Sequence, residues 1–139
     1  GDRVILATCG AMTPEVLRAA ELLEADEGVS AGVLCLSSPD RLYEDWRRHR
    51  LVHLRDLTAR RDASHLERLI PPALRAAPIV TVIDGASHAL AFLGSCLGAR
   101  IVPLGVDSFG QVGSLAAVYE AYDLSPEAVA TAALIALEP

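Results

Sequence analysis

The chain has no lysine: all twelve of its basic residues are arginines. Schiff-base catalysis and a P-loop lysine are therefore excluded. Asparagine is absent too. Aromatics are scarce, with one Trp, three Tyr and two Phe among 139 residues. Since 52% of the residues are apolar, a sizeable core is available, but it must be built from Leu, Val, Ile and Ala. No apolar run reaches the roughly 18 residues that a membrane-spanning helix needs, so no membrane partner is expected. The three cysteines, Cys9, Cys35 and Cys96, are an odd number, widely spaced and set in apolar stretches. This pattern predicts buried thiols in a reducing, cytoplasmic setting. A net charge of −6 argues against general nucleic-acid binding.

The charge is unevenly spread. Between Asp40 and Arg68, eight arginines meet six acidic residues, a local charge of about +2, while the other residues carry about −8. Such a stretch serves either as a salt-bridged solvated face or as a docking surface for an acidic partner.

Periodicity predicts alternating strands and helices in a single domain over residues 1–139. Val4 to Ala7, Gly32 to Leu36, Ile79 to Ile83 and Ile101 to Val106 read as strands. The first two are apolar throughout, as in a parallel sheet covered on both faces. Pro103 marks the last of them as an edge. Thr13 and Pro14 open a first helix that ends between Glu24 and Gly28. Arg41 to Arg48 and Ser64 to Leu69 read as helices in the polar insert. His88 to Leu97 reads as another, closed by Gly98. The expected fold is a three-layer α/β/α sandwich around a mainly parallel sheet of about four strands.

Candidate sites are few. Thr8, Cys9, Gly10 and Thr13 form a strand-to-helix turn, where free N–H groups can hold an anion. A free-standing flavodoxin-like module binding a phosphate or nucleotide would use this turn. Its sequence lacks the G-x-G-x-x-G fingerprint, and Cys9 and Met12 stand where hydroxyls are wanted. Asp84 and His88, four residues apart, form a candidate acid–base pair, against a plain helix start. His49 and His53, at i and i+4, are a weak metal pair without a third ligand. No serine reads as a nucleophile elbow. A phospho-receiver domain needs acids after the first strand and a lysine, and both are missing.

The densest signal is the segment from Gly105 to Ala128. It holds a strand end, a Gly-rich turn, a helix with Leu115, Val118, Tyr119 and Tyr122 on one face, and a new helix capped by Ser125. This order resembles the closing segment of the C-terminal domain of transketolase-type thiamine-diphosphate enzymes. The family pattern G-[IV]-D-x-F-G reads here Gly105-Val106-Asp107-Ser108-Phe109-Gly110. The helix restart reads Asp123-Leu124-Ser125-Pro126-Glu127. Gly105, Asp107, Phe109 and Gly110 are expected to form a structural turn, with Asp107 bonding N–H groups of that turn.

The resemblance implies an assembly role rather than catalysis. The family's enzymes hold thiamine diphosphate and Mg between two other domains, using Gly-Asp-Gly and a later Asn, and this chain has neither. It is thus expected to hold no catalytic, cofactor-binding or metal-binding residues of its own, and to be a fragment of a longer multidomain enzyme. Its expected partners are other domains of the same polypeptide and a second subunit in a homodimer. Within the family, Leu36 to Leu42 and Trp46 look more like the homodimeric pyruvate dehydrogenase decarboxylating component than a sugar-transferring transketolase, which is the alternative. The family's extra antiparallel edge strand before Val4 is missing, so self-association through an open sheet edge is expected.

Overall fold

The computed structural model describes residues 1–108 and 114–139. Four parallel strands, β1 (Arg3–Cys9), β2 (Ser30–Cys35), β3 (Ile79–Ile83) and β4 (Ile101–Leu104), lie in the order β2-β1-β3-β4. Registers are set by pairs such as Leu6 with Val33 and Val80, and Val80 with Val102. Among the described residues no antiparallel strand is present, and β2 pairs with β1 alone.

The unbroken apolar runs are explained by the layers. Successive side chains of a strand point to opposite faces. Val4 and Leu6 of β1, with Val80 and Val82 of β3, face one core, shared with α1 (Thr13–Leu22) and α6 (Pro126–Leu137). Ile5, Ala7 and Ile79 face a second core, shared with α2 (Pro39–Arg50), α3 (His65–Leu69) and α4 (Phe92–Leu97). The result is the three-layer sandwich expected from the pattern. Helix α6 reads apolar almost all round because Val129, Ala132, Ala133 and Ala136 are buried along it. Small alanines let it sit close to α1 and the sheet. Its C-terminal end is held by Arg100, whose guanidinium donates to the carbonyls of Ala136 and Glu138. A cation there also suits the negative end of the helix dipole.

Helix boundaries follow local chemistry. Helix α1 runs on through a π-type turn, Leu23–Glu27, and stops at Gly28, where φ is +64°. Short α3 is fixed by a capping box: Ser64 Oγ accepts from the Glu67 N–H, and the Glu67 carboxylate accepts from the Ser64 N–H. The stretch expected as one helix from His88 begins instead as a 3-10 turn, Ser87–Leu90, before α4. The last strand ends at Leu104, two residues earlier than its apolar letters suggest. A final pair, α5 (Leu115–Ala121) and α6, is separated by Asp123 at φ +57° and by Ser125, whose hydroxyl caps α6.

Candidate functional site

The order β2-β1-β3-β4 creates a switch point between β1 and β3. The chain leaves β1 toward one layer and β3 toward the other. In open α/β sheets ligands bind in the crevice at such a point, beyond the strand C-termini. Most of the candidate residues stand there.

The turn after β1 offers less than its sequence suggested. Thr8 is fully buried, and its hydroxyl has no partner among the described residues. Gly10, at φ +71°, opens a 3-10 turn that brings its carbonyl onto Thr13, whose hydroxyl donates to it at 2.8 Å. Thr13 is thus the first residue of α1 and not its cap; Met12 takes the cap position without a side-chain bond. Glu15 occupies the first turn of α1, where it already answers the positive end of the helix dipole. The hydroxyls of Thr8 and Thr13 are therefore turned inward or used by the backbone, and Cys9 is half-buried.

The exits of β3 and β4 lock together. Val106 N–H donates to Gly85 O at 2.6 Å, and Ser87 N–H donates to Asp107 Oδ1 at 2.9 Å. Among the described residues the partner of Asp107 is an N–H twenty residues earlier. The bond from Ser87 and, secondarily, the nearby His88 hold the Asp107 carboxyl below its ordinary range. Gly105 is the hinge of this junction. A Cβ there would lie 2.5 Å from Gly85 O and 2.6 Å from Ser87 Cα, so only glycine admits the approach. Tyr122 braces the same region, its hydroxyl donating to Ser108 O at 2.9 Å. Phe109 and Gly110 lie outside the described residues. Asp84 and His88 are both exposed and share no hydrogen bond among the described residues, so the acid–base pair does not form.

The insert after β2 is pinned locally. The ring nitrogens of His49 and His53 meet the carbonyl oxygens of Asp45 and Ala59, each at 2.7 Å. Among the described residues no group of three or more His, Cys, Asp or Glu is placed to hold a metal. Cys35 is exposed at the end of β2, against the expectation of a buried thiol, because it stands at the rim of an edge strand. Cys96 is half-buried, and burial pushes its thiol up to about 12. The letters G-x-S-x-G do occur, at Gly28 to Gly32, but Ser30 opens β2. A nucleophile elbow needs its serine after a strand.

Sequence reasoning missed one cavity. A cleft of about 480 Å³ lies between the end of β2, α2 and α3, with Leu36, Leu42 and Leu69 inside and Arg41 and Asp45 at its rim. Asp45 links the two helices. Its Oδ2 accepts the His65 N–H at 2.8 Å, and its Oδ1 meets Arg48 at 2.8 Å. The His65 bond is the main reason its carboxyl titrates below the ordinary value, with smaller contributions from His49 and Arg48. Nothing at single-sequence level pairs Asp45 with a backbone group twenty positions away.

The family model described as the transketolase-like TK C-terminal domain matches residues 1–125. The chain belongs to this family. Two curated transketolases of Cupriavidus necator, one plasmid-borne and one chromosomal, are each 29% identical over 136 residues, 98% of this chain. That match spans only 17% of each relative's length. A solved structure titled "Split gene transketolase, inactive beta4 tetramer" superposes with a TM-score of 0.63 at 26% identity, covering 99% of this chain and 39% of that one. The transketolase-like domain thus corresponds to a minor part of much longer relatives. No helix of the described residues is long and apolar enough to cross a membrane.

Proposed function

We propose that this transketolase C-terminal-like domain is a structural and assembly unit of a thiamine-diphosphate enzyme and performs no chemistry alone. The observation that carries the reading is the family match over residues 1–125, within relatives of which it forms 17% of the length. In those relatives most of the chain lies elsewhere, so the reacting groups have room to lie elsewhere too. Two polar groups at the switch point are occupied in building the fold: Asp107 joins two strand exits, and Thr13 closes a turn. For the parent enzyme, ketol transfer between sugar phosphates is the first reading, favoured by the two transketolase relatives. Decarboxylation of a 2-oxoacid with transfer to a lipoyl group is the second. It is favoured by the segment Leu36 to Leu42 and Trp46, which resembles the pyruvate dehydrogenase component. Thiamine diphosphate and Mg would be held by the other domains, and those domains and a second subunit would be this unit's partners.

Calorimetric titration of the isolated chain with thiamine diphosphate and Mg²⁺ tests the assembly reading. No saturable heat is expected. Stoichiometric binding, or turnover of either substrate class by the chain alone, would overturn it. Assaying the complete gene product for ketol transfer and for pyruvate oxidation separates the two parent reactions.

A further inference from the structure

Two surface features of opposite character lie in opposite layers of the sandwich. One is the loop that follows α2. Leu54 and Leu57 are 80% and 86% exposed there, far more than any packing role permits. Arg47 and Arg50 end α2 ahead of them in the chain and Arg55 stands between them, all exposed and without an ion-pair partner among the described residues. Neighbouring Arg48, Arg60 and Arg61, by contrast, are each paired with an acid of the insert. Arginine is enriched at protein interfaces, and apolar side chains this exposed gain by being covered.

The other feature is a groove of about 420 Å³ between α1, α5 and α6. Glu15, Glu120 and Glu127 line it, over apolar walls from Ala116, Tyr119 and Pro126. Among the described residues no basic side chain lines it. Oε2 of Glu15 is buried and lacks a hydrogen-bond partner among the described residues, an acceptor that a donor from outside would satisfy. Burial, then Asp84 and Glu15, push the Tyr119 hydroxyl upward.

We propose that the segment Arg47–Leu57 of one copy of this chain, the end of α2 and the loop after it, docks into the Glu15–Glu120–Glu127 groove of a second copy. The charges are complementary, and both sides carry apolar surface to cover. The loop belongs to the layer of α2 and the groove to the layer of α1 and α6, so one molecule cannot satisfy both within itself. The contact joins unlike patches, so copies assemble head to tail, in rings if the rotation closes. This association is distinct from strand pairing at the open edge of β2.

Sedimentation velocity of the chain over a concentration series, at low and at high salt, is the test. We expect reversible association that weakens roughly 10-fold or more at high salt, where exposed charges are screened. Arg47→Glu with Arg50→Glu and Arg55→Glu abolishes it, and so does Glu120→Arg with Glu127→Arg. Mixing the two reversed proteins restores it in alternating species. Leu54→Ser with Leu57→Ser weakens it at unchanged charge. Circular dichroism checks that each variant is folded; if the double reversal in the groove unfolds, Glu120→Arg alone replaces it. A wild-type chain that stays monomeric at low salt overturns the proposal. So does association that ignores salt and charge reversal, or that is lost only when Val33→Pro blocks the β2 edge.

Discussion

Replacing Gly105 with alanine should damage this fold far more than the same change at Gly32, although the two sites look equally crowded. At each, the nearest atom to a new Cβ would be 2.5 Å away. The identity of that atom decides the outcome. At Gly32 it is Cδ1 of Leu74, the end of a half-buried flexible side chain on a surface turn. A change of rotamer clears it, and alanine also restricts the unfolded chain, so the net cost is about 1 kcal/mol or less. At Gly105 the neighbours are backbone: Gly85 O at 2.5 Å, Ser87 Cα at 2.6 Å and Ser87 N at 2.7 Å. They cannot move without pulling the β3 exit away from β4. Overpacking of this kind costs about 1–3 kcal/mol, and loss of the Val106 to Gly85 hydrogen bond adds about 0.5–1.5 kcal/mol. Together about 2–4 kcal/mol is expected. For a domain of this size that is a fall in Tm of roughly 8–20 °C, against less than about 5 °C for Gly32→Ala. Thermal melts by circular dichroism on the two variants and the wild type measure both. Equal losses at the two glycines, or a near-native Tm for Gly105→Ala, would refute the argument that rigid backbone contact sets the cost.

Other outcomes follow from the same geometry. Asp45→Asn should lower stability at neutral pH and flatten the acid limb of the stability curve. The folded carboxyl titrates below its ordinary value of 3.8, so its contribution is present above that value and is lost as pH falls through the depressed one; urea midpoints across pH would show whether the acid limb changes. Ser64→Ala removes the capping box of α3 and should cost about 0.5–2 kcal/mol in urea unfolding. In timed alkylation at pH 8 read by mass spectrometry, exposed Cys35 should be modified well before Cys96, whose thiol is pushed up to about 12; equal rates would contradict that burial.

Much of the architecture could be read from letters because local and global signals agree. Val4 to Ala7 is apolar at every position, and Ile79 to Ile83 at every position but Thr81, since both faces are covered, and Gly28 and Gly98 stop helices where φ must be positive. The readings that failed concern atoms rather than elements. Thr13 has the letters of a cap, but the 3-10 turn ahead of it shifts the cap to Met12. Asp107 accepts from Ser87, a partner set by the pairing of β3 with β4, which no local window contains. Cys35 sits in an apolar run, and only its place at the end of an edge strand exposes it. The cleft beside Asp45 is likewise a product of α2 meeting α3, not of either sequence alone.

The central position of β1 has a consequence for the chain as it leaves the ribosome. Its first neighbour, β2, follows within thirty residues, but its second does not: Ile5 pairs with Ile79, 74 positions later. At ordinary synthesis rates of about 5–20 residues per second, one edge of the most apolar strand waits roughly 4–15 s for its partner. During that wait Ile5 and Ala7, which the finished fold covers with α2, α3 and α4, have first α2 and then α3 to shelter them, and never α4, which follows β3. A nascent chain stalled before Ile79 should therefore be a better chaperone client than one stalled after Leu104.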